Sequence, residues 1–142
     1  MDDIAAMSLD MSVETEEIAR VVVDAAYFVH RQLGPGFVES IYESALAVEL
    51  THRGMAYQRQ LEVPIHYRGI LVGDHKLDLL VADRLVVEIK SLQGSHAPQH
   101  VAQVISYLRA TDRELGLLLN FGLSTMRDGI KRIVQSPRAL PD

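Results

Sequence analysis

Three charged residues stand where a buried strand should carry none. Within His75–Ser91 two apolar runs each hold charge: Asp78 separates Leu77 from Leu79, and Glu88 and Lys90 flank Ile89. An uncompensated carboxylate in such a place costs roughly several kcal/mol, so a metal or a partner charge is implied. Two carboxylates and the main-chain carbonyl of Ile89 form a hard oxygen set suited to Mg²⁺ or Mn²⁺, with positions left for water. An ammonium at Lys90 would orient or help deprotonate an attacking water, or offset charge on a phosphate as it becomes pentavalent. The chemistry these residues outline is hydrolysis of a phosphodiester bond.

Strand parity decides whether they can act together. Side chains alternate faces, so Val86, Glu88 and Lys90 share one side and Leu85, Val87 and Ile89 the other. If the two runs form a hairpin around Ala82, Asp83 and Arg84, Asp78 joins Glu88 when the loop is odd in length or bulged, whereas a two-residue turn separates them. Asp83 tolerates the left-handed conformation that a three-residue loop needs, although the usual glycine is missing. The odd loop is the expected register.

The elements around this hairpin follow from pattern. Ser12 suits a helix N-cap before Glu14, Glu16 and Glu17, and Ile18, Val22, Ala25, Ala26, Val29 and Leu33 recur at helical spacing until Gly34-Pro35-Gly36 stops it. A second helix is expected over 38–53, where Glu39, Tyr42 and Glu43 can face one neighbour or form a solvated acidic face. Alternation over Gln60–Tyr67 predicts a strand, with Pro64 marking an edge or bulge. Ile70–Val72 starts a return strand, and Gly73-Asp74 leads into the central hairpin. Pro98 opens a third helix with Ala97, Val101, Val104, Ile105 and Leu108 inward, and His96, His100, Gln103 and Tyr107 on an adjacent polar stripe. His96 and His100 have the spacing of a chelating pair, but no third ligand accompanies them, and a surface or groove-lining role is the default. Leu115–Leu119 reads as a strand covered on both faces, and Ile130–Val134 as a short strand or helix. The order implies an α/β fold with a mixed sheet flanked by helices, the third helix crossing over between strands.

Composition sets the outer bounds. A chain of 142 residues with 48% hydrophobic content is expected to be one domain over 14–136, between an acidic tail at 1–13 and a short tail at 137–142. Without a membrane-length apolar run or a basic leader, a cytoplasmic protein is expected. With no cysteine, any metal must sit on oxygen or imidazole ligands. The net charge of −5 argues at first against a polyanionic partner. Yet residues 1–17 hold six of the 19 acidic groups and no Lys or Arg, leaving 14 basic against 13 acidic residues, a balance that permits a local basic groove.

The segment Gly36-Phe37-Val38-Glu39-Ser40-Ile41-Tyr42 resembles the signature of the GxxExxY protein family, a branch of the PD-(D/E)xK nuclease-like superfamily. The likeness extends over roughly Glu17 to Val134, through His30–Gly36, Asp78–Lys90, Pro98 with His100 and Gln103, and Gly116–Gly122. It implies a restriction-endonuclease-like core of α-β-β-β-α-β order and a Mg²⁺- or Mn²⁺-dependent nuclease acting on nucleic acid, DNA ahead of RNA, with a homodimer compatible. It assigns Glu39 as the helical acid and a further metal ligand, Asp78 and Glu88 as the strand acids, and Lys90 as the lysine. Gln103 and Tyr107 resemble a Gln-x-x-x-Tyr helix lining a DNA groove, with Tyr42 and His100 beside them. Leu77 stands where the superfamily name has Pro, a position the chemistry does not require.

Two other classes compete with this reading. A catalytically silent nucleic-acid- or protein-binding module could keep the fold, although it would have no physical reason to gather Asp78, Glu88 and Lys90 in apolar strands. A site for a small phosphorylated metabolite is the third, since no glycine-rich phosphate loop fixes the substrate.

Overall fold

The computed structural model describes residues 12–135; the tails expected at 1–13 and 137–142 lie outside them except for Ser12 and Val13. Helix α1 spans Val13–Leu33. Ser12 caps it by accepting from the Thr15 amide at 3.1 Å, the first turn carries Glu14 and Glu16 and the last turn His30 and Arg31. Gly34, at φ 69°, ends it, its amide donating a hydrogen bond to the His30 carbonyl at 2.7 Å. Helix α2 runs Glu39–His52, with Val38 as an extended N-cap rather than the first helical residue. Helix α3 runs Pro98–Thr111, with proline in its first turn as expected.

The strands are β1 Tyr57–Tyr67, β2 Ile70–Val81, β3 Leu85–Lys90, β4 Leu115–Asn120 and β5 Ile130–Val134, the last following a 3₁₀ turn at Arg127–Gly129. They form one sheet in sequential order β1-β2-β3-β4-β5. All neighbours are antiparallel except β3 and β4, whose parallel pairing uses α3 as its crossover. Pro64 lies on the edge strand, next to a register shift between Ile65 and His66.

One expectation changes and one open alternative closes. Gly73-Asp74 does not break the chain: both residues pair across to Ile65 and Pro64, so β2 is one long strand and its hairpin with β1 turns at Arg68-Gly69. Cross-strand pairing outweighs the local turn preference. The segment after Gly129 is a strand because β4 offers an edge, which β5 takes from Val134↔Leu115 to Ile130↔Leu119.

The sheet is covered on both faces. Helices α1 and α2 bury Val22, Ala25, Leu46 and Leu50 against Leu79, Val87, Ile89 and Leu117. On the other face, Val104, Tyr107 and Leu108 of α3 pack on Leu80, Val86 and Leu118. Leu115–Leu119 alternates between these layers, as a strand covered twice must. Gly116 permits the second layer: a Cβ there would meet Val104 Cγ1 at 2.6 Å, so α3 rests directly on the β4 backbone. At the far end of the first hairpin Tyr67, Ile70, Leu71 and Val72 extend past this cover and are exposed.

Candidate active site

The central hairpin is regular at its closed end and forked at the other. From the loop outward Val81 pairs with Leu85, Leu80 with Val86 and Leu79 with Val87. At the next pair the side chains take over the bonding. The Asp78 amide donates to Glu88 Oε1 at 3.1 Å, and the Ile89 amide donates to Asp78 Oδ2 at 2.8 Å. The loop is odd, Ala82 to Arg84, with Ala82 and Asp83 left-handed at φ 51° and 58°. Arg113 holds it by donating to the Asp83 carbonyl at 2.9 Å and carboxylate at 2.7 Å. The odd loop is the expected one, and the two bonds bring Asp78 opposite Glu88. The alternation of β2 also slips at Asp78: Leu79 and Val81 join the α1/α2 layer, while Leu77 and Leu80 both join the α3 layer. Asp78 thus stands at the seam between the two layers.

The two acids are crowded in a partly dry place. Glu88 is pushed up to about 8, first by burial and then by Asp78, with Lys90 opposing. Asp78 is raised as well, by burial foremost and by the charge of Glu43, against the Ile89 amide bond that favours its ionised form. Burial outranks repulsion between the acids as the cause. Lys90 Nζ stands 3.9 Å from Glu88 Oε2, so the strand supplies its own cation beside the pair.

Helix α2 sends two different acids toward the fork. Glu39, its first residue, is exposed and lines a cleft of about 840 Å³ with Phe37, Ser91 and Gln93. Its charge is felt at both Asp78 and Glu88. Glu43, one turn later, is buried and reaches Asp78 through Gln60, whose amide nitrogen donates to Glu43 Oε1 at 2.7 Å and to Asp78 Oδ1 at 3.3 Å. Tyr42 does not line a groove. It is fully buried, stacked on Phe121 with ring centroids 4.8 Å apart. Its hydroxyl donates to the Gly34 carbonyl at 2.5 Å and accepts the Phe37 amide at 3.1 Å. It braces the loop between α1 and α2, and through Ser91 Oγ, which donates to the Phe37 carbonyl at 2.6 Å, that loop is tied to the residue after Lys90.

On the α3 side, Tyr107 receives a bond from Gln103 Nε2 at 3.1 Å and meets His75 Nδ1 at 3.3 Å. Its phenol is pushed up to about 12 by burial and then by the charges of Glu88 and Asp78, so it stays protonated beside the fork. His100 falls elsewhere. Its Nδ1 accepts the Ala97 amide at 3.2 Å and so caps α3, while His96 bonds the Gly129 carbonyl at 3.1 Å. Each of the two histidines thus bonds a backbone group of its own, His100 at the helix end and His96 on the turn before β5.

Three residues of this arrangement were not singled out by sequence reasoning: Arg59, Gln60 and Asn120. Fully buried Asn120 ends β4 and fixes the loop after Lys90, its oxygen accepting the Leu92 and Gly122 amides at 2.8 and 2.9 Å and its nitrogen donating to the Gly94 carbonyl at 3.0 Å. A lone amide closing an otherwise apolar run was the available signal.

Among the described residues no three His, Cys, Asp or Glu side chains converge closely enough to hold a metal by themselves. Glu39, at the exposed start of its helix, does not form such a group with Asp78 and Glu88 in this arrangement. The fit rests on Asp78, Glu88 and the Ile89 carbonyl, completed by water, as a hard cation accepts. Crowded acids whose ionised forms are disfavoured are the setting in which such a cation is stabilised.

A family model described as the PD-(D/E)XK nuclease superfamily matches residues 16–133. No curated protein matches, and no solved structure does. Among the described residues no helix is long and apolar enough to cross a membrane.

Proposed function

The chain belongs to the PD-(D/E)XK nuclease superfamily, and from that footing we propose that it hydrolyses phosphodiester bonds of nucleic acid, DNA ahead of RNA, with Mg²⁺ or Mn²⁺ held by Asp78, Glu88 and the Ile89 carbonyl. In this reading the Gly36–Tyr42 segment marks the GxxExxY branch, and the reaction is cytoplasmic. The observation that carries it is the fork: a hairpin gives up a ladder pair so that a half-buried and a buried carboxylate, Asp78 and Glu88, face each other with a lysine 3.9 Å from Glu88.

A bound divalent cation would supply Lewis-acid polarisation of the phosphate and a water acidic enough to attack near neutral pH. The chain does the rest. The Ile89 and Asp78 amides fix one oxygen of each carboxylate, leaving Glu88 Oε2 toward Lys90 and Asp78 Oδ1 toward Gln60. Lys90 keeps a positive charge at the edge of the fork, where a phosphate gaining negative charge would lie. Tyr107, held protonated, offers a hydroxyl along the same rim, aligned by Gln103. Glu39, at the mouth, acts through its charge and through water.

The test is cleavage of end-labelled single- and double-stranded DNA and RNA oligonucleotides with Mg²⁺ or Mn²⁺, with chelator as control. Product that requires the metal and disappears in Asp78→Asn is expected. Equal oligonucleotide binding by wild type and Asp78→Asn, with no product from either, would replace the nuclease by a silent binding module.

A further inference from the structure

Two neighbours on β1, Arg59 and Gln60, send their side chains to the same acid. In an extended strand they would point to opposite faces. Gln60 sits at φ 51°, a left-handed conformation rare for such a residue, and it occupies the position skipped in the β1–β2 ladder between Arg59↔Leu79 and Leu61↔Leu77, across from Asp78. The break in alternation lets both donors reach α2.

Their effect is to occupy Glu43 completely. Its Oε2 accepts Arg59 Nε at 3.1 Å and faces Nη2 at 3.0 Å, and its Oε1 accepts Gln60 Nε2 at 2.7 Å. The guanidinium neutralises the buried charge. The Gln60 nitrogen has a second hydrogen, and it goes to Asp78 Oδ1 at 3.3 Å. One small donor is thus bonded by oxygens of two acids from different elements, which is how a hard cation bridges carboxylates in a two-metal site.

We propose that Gln60 limits the site to a single divalent cation, its carboxamide nitrogen standing where a second ion would bridge Glu43 and Asp78. The proposal rests on the metal-dependent reading above. It assigns Gln60 as a positioning residue, one that fixes Asp78 toward Glu88, and it assigns Glu43 a latent ligand's role. Glutamine suits the task because its nitrogen satisfies two carboxylate oxygens without adding a charge that would compete with the first cation.

The experiment counts Mn²⁺ bound per folded full-length chain, from the loss of the free-ion paramagnetic signal on titration, with circular dichroism as the check on folding. Wild type should bind one Mn²⁺ and Gln60→Gly two, glycine being suited to the left-handed backbone. Gln60→Gly combined with Glu43→Gln should return to one, because the second ion needs that carboxylate. Should Gln60→Gly fail to fold, Gln60→Asn tolerates the same backbone with an amide one methylene shorter, and it too should bind two. One ion in the folded Gln60 variants, two in wild type, or two in the double variant each overturn the proposal while leaving the first site standing. No Mn²⁺ bound by wild type overturns the metal-dependent reading and this inference with it.

Discussion

The two ends of the β2–β3 hairpin use the same two strands to opposite purposes. At the closed end Leu79, Leu80 and Val81 meet Val87, Val86 and Leu85 in a regular ladder, with apolar side chains delivered to both layers and the loop clamped by Arg113. One pair further out, amides that a ladder would use are taken by carboxylates, and acids sit where burial disfavours their charge. Stability is concentrated at one end, and it holds the other in a conformation it would not adopt alone. The difference explains why charge in these strands is tolerated at all: three ordinary pairs and two packed layers lie next to it.

Asp78→Asn tests the open end most directly. Metal-dependent cleavage should fall by about 10³-fold or more, while the metal-free protein melts at the same temperature or higher because repulsion has been removed. An unfolded Asp78→Asn would mean that both ends are structural. At the closed end, Leu85→Ala should cost about 2–5 kcal/mol in denaturant unfolding, with Mn²⁺ affinity of the remaining folded chain unchanged. If the cation binds only the folded chain, a concentration of about 100 times its dissociation constant should add roughly 2.7 kcal/mol, seen as a higher melting temperature in wild type and in no Asp78→Asn sample.

Acidity sharpens the comparison further. Glu88 is raised from 4.5 to about 8, so between those values the folded chain holds a proton that the unfolded chain has released. Stability of the metal-free protein should therefore be highest below about 4.5 as far as this group is concerned, decline as pH rises, and level off above about 8. Glu88→Gln should flatten that slope in melting curves taken across the range. The smallest effect lies in the loop, where Ala82→Gly removes left-handed strain and should stabilise by about 0.5–1 kcal/mol.

Legibility in the sequence followed the same division. Asp78, Glu88 and Lys90 stood out because charge between Leu, Val and Ile contradicts burial, and the even sum of 78 and 88 made the odd loop a matter of parity. Helix ends at Ser12, Gly34 and Pro98 were readable from capping chemistry. What escaped depended on partners distant in sequence. Helical phase could not say that Tyr42 would turn inward onto Phe121, or that Glu43 rather than Glu39 would be the acid tied to Asp78. Gln60 escaped because nothing in a Gln between Arg and Leu announces a left-handed residue; the shape is imposed by Glu43 and Asp78 together. The cap that His100 gives to the Ala97 amide was not read, since capping and groove-lining share one spacing.

The ten-residue separation of Asp78 and Glu88 also gives the site a place in time. A segment that short closes in about 10–100 ns, so the acids can meet early in folding, while still in water, where their repulsion is weak. Tyr107 belongs to α3 and comes from farther along the chain, reaching His75 and Lys76 beside the acids only when that helix docks. The electrostatic barrier therefore falls late, at helix docking. A cation present during refolding should accelerate that last phase, and leave formation of the hairpin untouched.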